Sequence, residues 1–472
     1  MEMALRREKY VIVSLILAFW VIFFAGCVKQ QDVVEDDAFS GEVYPGNGLP
    51  KNKKVTVSAI YPVQGIGKGH IEYAIKTFEK RFPNVKIEMR YVEGGTAYSQ
   101  IIKSLLKAGN DKEMYDWAFS YGGSDVILDD RLEPQDELWE RTLYDRPDLK
   151  VKDAVTADKL EVFAPNGHIY KVPQAGTIFG IYYNKKLFRE NGWNMQPKDW
   201  KEFLDLCEEI KQKHIHPMVV AGKVPSYFKF GWGPIPYEIG GEKFRKAQYN
   251  YEPDVYVDHA YLMMFKRLEE FARKGYLHPG TISFDHTQSQ MEFIQEEAAM
   301  IPVGAWVANE MKDVLPKDFE WGFMAFPGNE AGQGQVVLSS LTSAGHIWKN
   351  RPKLNKLWAK EFNLWLLNLD IQQRLGAGGA VPARKDFIEN KELLAKICPS
   401  VLVAMEYINK HDVKIINASV RGKYVFNSEM AKFSKTELDN IIEVISLGKK
   451  AERAVREING VYMRGLREYA KK

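Results

Sequence analysis

Cysteine is nearly absent: Cys27, Cys207 and Cys398 are the only three in 472 residues. A chain well beyond the roughly 250 to 300 residues at which one hydrophobic core stops growing has core enough without a disulfide. Cys207 also falls on the apolar stripe of a predicted helix, so Cys207 and Cys398 read as small buried hydrophobes rather than a crosslink. Catalytic and metal signatures are missing too. No His-Glu-x-x-His, Gly-x-Ser-x-Gly or Cys-x-x-Cys occurs, and no Cys/His cluster has zinc-site spacing. His214 and His216 flank Ile215 between a predicted helix and strand, a solvated turn rather than a metal site. Asp129-Asp130 and Glu296-Glu297 fall on predicted surface, and neighbours in sequence do not converge across a sugar as a glycosidase requires. Charge of one sign is lacking as well. The net charge is +3, and residues 1–26 carry Arg6, Arg7 and Lys9 against Glu2 and Glu8, leaving +2 without them. With no basic run beyond Lys51-Asn52-Lys53-Lys54, there is no electrostatic footprint for nucleic acid. Neither a catalytic residue, a cofactor nor a metal is expected.

Glycine is clustered once in a suggestive way, at Gly65-Ile66-Gly67-Lys68-Gly69 between a predicted strand and helix. A dinucleotide fingerprint would need a third glycine where His70 stands, and a P-loop would need Ser or Thr after Lys68. Neither is present. The loop still offers free backbone N–H groups and close approach to a ligand.

Long hydrophobic runs are confined to the beginning. Arg6, Arg7 and Lys9 precede an apolar stretch over residues 11–25, too short for the roughly 20 residues of a membrane-spanning helix and followed by a small-residue exit. This is the pattern of a secretory signal peptide. Residues 28–53 are polar, acidic and rich in turn formers, and they read as a flexible tether before a fold that starts near Lys54.

What remains has ordinary globular composition, 45% hydrophobic and 27% charged, and its length predicts two lobes. Val55, Val57 and Ala59 alternate as a strand that ends at Tyr61-Pro62; Ile71, Ile75, Phe78 and Phe82 follow at helical spacing. Val85, Ile87, Met89 and Tyr91 alternate again, and Tyr98, Ile101, Ile102, Leu105 and Leu106 form the next helical stripe before a strand over residues 116–121. Strand, helix, strand, helix, strand is an α/β pattern with a mainly parallel sheet. Ile178-Phe179-Gly180-Ile181-Tyr182-Tyr183 reads as a strand buried on both faces. Asp199 caps a helix carrying Trp200, Phe203, Leu204, Cys207 and Ile210, with Glu202 in the capping-box position, and Met218-Val219-Val220 is the next strand. The later chain is strongly helical over residues 356–375 and 434–471.

Aromatic residues make up 12% of the chain. Trp200, Trp358 and Trp365 fit helical stripes and belong to cores. Others stand among glycines and prolines: Tyr61-Pro62, Tyr121-Gly122-Gly123, Pro225-Ser226-Tyr227, Gly231-Trp232-Gly233 and Gly304-Ala305-Trp306. Flat sugar faces pack on such rings while hydroxyls seek polar edges, which Gln64, Ser120, Ser124, Asp125 and Gln174 could supply.

Phe24-Ala25-Gly26-Cys27 resembles the lipobox of bacterial lipoproteins, with Phe24 in place of the usual Leu. Gly167-His168-Ile169-Tyr170-Lys171-Val172-Pro173, then Gly180-Ile181-Tyr182-Tyr183-Asn184-Lys185-Lys186-Leu187-Phe188, Asn191-Gly192-Trp193 and Pro197-Lys198-Asp199-Trp200, occur in the order seen in the extracellular solute-binding proteins of bacterial ABC importers. The chain is similar in particular to the carbohydrate-binding family that includes maltose-binding protein. Phe293-Ile294-Gln295-Glu296-Glu297-Ala298-Ala299-Met300 with Gly304-Ala305-Trp306 resembles a further block, in which Glu296 replaces a glycine. Gly379-Ala380-Val381-Pro382-Ala383-Arg384 resembles a later turn.

The resemblance implies a two-lobed periplasmic-binding-protein-like fold with the ligand between the lobes. Lobe one would comprise residues 54–175 and 338–398, lobe two residues 176–337 and 399–472, with hinges near Gly176, Leu338 and Pro399. It places ligand contacts at Tyr61, Gln64, Ser120, Tyr121, Ser124, Asp125, Gln174, Thr177, Tyr227, Trp232 and above all Trp306, with Tyr424 or Phe426 as further contacts. It implies a signal peptide over residues 1–26, lipidation of Cys27, and a monomer tethered by residues 27–53 to the outer face of the cytoplasmic membrane. Its partners would be a mono- or oligosaccharide and the permease subunits of an ABC importer. A secreted carbohydrate-active hydrolase and a binder of a non-sugar solute are the alternatives.

Overall fold

The computed structural model describes residues 41–122, 126–127, 129–157 and 159–471; the signal segment, Cys27, Ser124 and Asp125 lie outside the described residues. Residues 41–54 form a compact unit of their own. Tyr44 N–H donates to the Leu49 carbonyl at 2.9 Å and Gly48 N–H to the Tyr44 carbonyl at 2.8 Å, and Val43 bridges Pro50. This part of the expected tether is thus a closed turn, because the backbone of Pro45-Gly46-Asn47-Gly48 folds back on itself.

From Val55 onward the chain builds two sheets. The smaller has the order β2-β1-β3-β9, with β1 at Val55–Val63, β2 at Val85–Glu93, β3 at Trp117–Ala118 and β9 at His346–Ile347. β1 pairs in parallel with β2 and β3, as alternating strands separated by helices require. The helices are α1 (Gly69–Arg81) and α2 (Gly95–Ala108). β3 is shorter than the pattern predicts, because the Tyr98 hydroxyl takes both backbone groups of Ser120, accepting from its N–H at 2.9 Å and donating to its carbonyl at 2.7 Å.

The larger sheet follows β11-β8-β4-β6-β5, with β4 at Val172–Asn184, β5 at His216–Met218, β6 at Ala298–Gly304, β8 at Gln335–Ala344 and β11 at Val413–Asn417. β7 (Trp321–Met324) and β10 (Val381–Pro382) pair with β4 off this path. Here pairing is mixed rather than mainly parallel: β5 joins β6 and β11 joins β8 in parallel, but β4 runs antiparallel to every partner. The reason is its path. β4 is buried at all of its residues but Gly176 and Phe179, which are half-buried, and exchanges neighbours, meeting β8 and β10 in its first half and β6 and β7 in its second.

Each sheet has its own core. Beside the smaller one, Phe78 of α1 packs on Phe82, Trp358, Phe362 and Trp365 with ring centroids 4.9 to 6.1 Å apart. The three last belong to α5 (Lys353–Trp365), and α6 (Leu369–Ala377) follows it on the same side. The larger sheet is covered by α3 (Trp200–Gln212), α4 (His286–Ile294), α7 (Pro399–Lys410), α8 (Met430–Leu447) and α9 (Ala451–Tyr469), which share one continuous apolar cluster. Asp199 caps α3 by accepting from Glu202 N–H at 3.0 Å, and Glu202 reaches back to Lys198 N–H at 2.9 Å. Cys207 and Cys398 are buried and unbridged. Among the described residues no helix is long and apolar enough to cross a membrane.

Candidate functional site

A cavity of about 980 Å3 opens where the ends of β1 and β3 face the middle of β4 and the end of β6. Its floor is β4, where a bulge at Gln174 interrupts the alternation, so that Gln174 lines the space together with Thr177 and Phe179 although it stands an odd number of residues from both. One wall is the end of β1 with Tyr61, the loop after it with Gln64 and Gly65, residues 93–97 where β2 gives way to α2, and Phe119 after β3. The opposite wall carries Tyr227, His286, Trp306 and Glu310.

Trp306 is held from several directions. Ala305 N–H donates to the Ile178 carbonyl at 3.0 Å, and the Ser400 hydroxyl donates to the Ala305 carbonyl at 2.5 Å, so the residue before the indole is clamped. Phe179 and Phe230, stacked face to face at 4.3 Å, meet the indole edge-on at 5.9 and 6.1 Å. Glycine is required around it. A Cβ on Gly304 would come within 2.2 Å of the indole, and one on Gly65 of the opposite wall within 2.7 Å. Asn309, one turn further, donates to the Gly65 carbonyl at 2.8 Å and bridges the two walls.

Three buried polar atoms on this cavity have no hydrogen-bond partner among the described residues: Gln174 Nε2, Thr177 Oγ1 and His70 Nδ1. Leaving such groups unpaired costs about 1 to 3 kcal/mol each, so a ligand that satisfies them gains correspondingly. Burial pushes the His70 imidazole down to about 3 and keeps it neutral, and its Nε2 lies 3.2 Å from the Tyr61 hydroxyl, itself raised by burial. Burial also raises the Glu310 carboxyl, opposed by the 2.6 Å hydrogen bond from Gln290 and by His286. No lysine or arginine is among the described lining residues. The space offers rings, neutral donors and acceptors, and two carboxylates, Glu93 and Glu310.

Of the residues expected here, Tyr61, Gln64, Gln174, Thr177, Tyr227 and Trp306 are brought together. Three are not. Trp232 is buried against Phe271 and Phe326 at 5.2 and 4.9 Å. Tyr121 is buried on Trp348 and donates to the Tyr115 carbonyl at 2.6 Å. Ser120 has its backbone taken by Tyr98, and its hydroxyl accepts from Gly122 N–H at 3.2 Å. Tyr424 lines a separate, smaller cavity, and Phe426 is exposed. His70, Phe119, Phe179, His286 and Glu310 were not anticipated; His70 had a signal, standing beside Ile71 on the buried face of α1 with Ala74 and Phe78. Glu296 explains the missing family glycine: it adopts φ +63°, the left-handed conformation glycine takes readily, and accepts from Asn184 Nδ2 at 2.8 Å. No group of side chains that could hold a metal ion occurs among the described residues.

Residues 64–373 match the family described as bacterial extracellular solute-binding protein. The chain is 25% identical over 297 residues to a diacetylchitobiose-binding protein, NgcE, of Streptomyces coelicolor, covering 62% of this chain and 61% of that one. It is 26% identical over 274 residues to a multiple sugar-binding protein of Streptococcus mutans, covering 56% and 60% respectively. The chain thus spans about three fifths of the length of these curated relatives. A solved chitin oligosaccharide-binding protein superimposes with a TM-score of 0.72 at 21% identity, over 87% of this chain and 99% of that one.

Proposed function

The chain belongs to the bacterial extracellular solute-binding protein family, and from that premise we propose that it captures a sugar or oligosaccharide outside the cytoplasm and delivers it to the permease of an ABC importer. The observation that carries this reading is the cavity between the two sheets, with aromatic rings on its walls and unpartnered neutral polar atoms on its floor. A sugar matches that chemistry: its C–H faces pack on rings, and its hydroxyls both donate and accept. The absence of lysine and arginine among the described lining residues speaks against a small organic anion in this cavity. The names of the relatives, which refer to diacetylchitobiose, multiple sugars and chitin oligosaccharides, support the same ligand class.

Binding would proceed by closure of residues 54–175 and 338–398 against residues 176–337 and 399–472, pivoting near Gly176, Leu338 and Pro399. A ligand touching both walls has higher affinity for the closed form and shifts the population toward it. Lipidation of Cys27, on a monomer, would keep the protein beside its permease. Fluorescence titration and thermal shift against mono- and oligosaccharides test the reading: a bound sugar raises the melting temperature and perturbs tryptophan emission. If no sugar does either, the reading fails. Release of reducing ends from an oligosaccharide would instead point to a hydrolase using Glu93 and Glu310, whereas the members of this family are binding proteins. A Cys27→Ser variant recovered in the soluble fraction rather than with membranes tests the anchor.

A further inference from the structure

Ser340 lines not one cavity but two. On the other side of it lies a space of about 380 Å3, walled by residues 160–165, Tyr170, Lys171 and His346 on one side and residues 417–424 on the other. Its chemistry differs from that of the larger cavity. Lys171 and Arg421 face it against a single carboxylate, Glu161, which accepts from Asn417 at 3.0 Å. Arg421 is fixed by the Ala418 and Val420 carbonyls at 2.7 and 2.8 Å. Lys171 has no ion-pair or hydrogen-bond partner among the described residues, and burial pushes its ammonium down. Half-buried and without a partner, this ammonium is screened less than a surface lysine, and an anion brought by a ligand gains from pairing with it.

His346 supplies a second donor. Its Nδ1 accepts from Tyr121 N–H at 2.9 Å. Burial, with the Lys171 charge beside it, pushes the imidazole well below its ordinary value, so it is neutral. A neutral ring that accepts at Nδ1 carries its proton at Nε2, and this N–H has no partner among the described residues.

Resting on the carbohydrate reading above, we infer that this second cavity is a subsite for the carboxylate of an acidic sugar, paired with Lys171 and hydrogen-bonded by His346. The same ligand would lie across Ser340 into the larger cavity. Lys171 and Thr177 are six residues apart along an extended chain, roughly 20 Å, so the ligand is an oligosaccharide containing a uronic acid, not a monosaccharide.

Titration with tri- and tetragalacturonate, with their methyl esters, and with neutral chito- and xylo-oligosaccharides of equal length tests this. The acid is expected to bind on the order of ten-fold tighter than its ester, as a hydrogen bond to a charged group allows. Lys171→Met should close that gap by weakening the acid alone, while Lys171→Arg should keep most of it. Equal affinity of acid and ester, or a gap that survives Lys171→Met, overturns the inference. Binding of neutral oligosaccharides without uronates overturns it too and leaves the carbohydrate reading standing; if no sugar binds, both fall.

Discussion

The two walls of the larger cavity are made differently. Trp306 and Tyr227 stand on a body whose apolar residues form one continuous cluster, and the indole leaves the end of β6, a strand buried at all seven of its residues. The facing wall is made of element ends and the turn between them: Tyr61 and Val63 at the end of β1, the turn Gln64-Gly65-Ile66, residues 93–97 where β2 gives way to α2, and Phe119 just after β3. A rigid platform facing an adaptable rim is a sensible division where one surface must hold a ring and the other must follow it, since loops tolerate movement that packed strands resist.

The strongest blow to this contrast is Trp306→Ala, which removes the platform. Affinity for any sugar identified by titration should fall about 100-fold, the scale of a buried aromatic anchor. On the floor, Thr177→Val and Gln174→Leu should each cost about ten-fold in affinity without lowering the stability of the unliganded protein, because Thr177 Oγ1 and Gln174 Nε2 have no partner to lose among the described residues. Calorimetric titration beside a melting curve separates the two quantities. On the rim, Gly65→Val puts a side chain into the indole. Either the loop or the held indole must shift, so a lower melting temperature together with a several-fold weaker affinity is expected; a loss of affinity as large as that of Trp306→Ala would mean the rim is as rigid as the platform.

The smallest effect concerns pH. Glu238, buried beneath the start of β8 and accepting from Val336 N–H at 3.0 Å, is raised to about 8 by burial. Its unfolded form loses its proton near 4.5 and its folded form keeps it, so it subtracts stability as pH rises from about 4.5 to 8. His70 on the other body is opposite in sign: held down to about 3, it subtracts stability as pH falls below about 6.5. Glu238→Gln should therefore raise the melting temperature at pH 8 by a few degrees, vanish in effect near pH 4, and leave sugar affinity unchanged.

The elements around Trp306 were readable from sequence because each carries a regular signal. The alternation at Val55, Val57 and Ala59, the stripe through Ile71 and Phe78 and the Asp199 cap all reflect local rules that packing did not overrule. Trp232 misled because its neighbouring glycines look like loop. Gly231 instead lets a short helix, Phe228–Trp232, press onto the sheet, where a Cβ would meet Phe326 and Pro302 at 3.2 and 3.3 Å. Tyr121 misled likewise: its ring is turned inward by Trp348 rather than outward by Gly122. Strand periodicity assigns Phe179 to a core, and His70 stands out in sequence only as the residue in a fingerprint's glycine position; only the meeting of two sheets, which no local pattern encodes, leaves a cavity beside them.

β4 has a consequence of its own. Over six residues its contacts change: the Gln174 carbonyl accepts from Gln372 of α6 at 2.9 Å, Thr177 pairs with Ser340, and Phe179 stacks on Phe230. The same stretch is the floor a ligand touches. With β4 as the pivot proposed above, a guest in this cavity would grip the axle itself rather than pull on the doors, and its affinity and the angle of closure would become one quantity. Any substitution between Gln174 and Phe179 should move both together, so that tuning this protein for a tighter ligand also sets how readily it lets go.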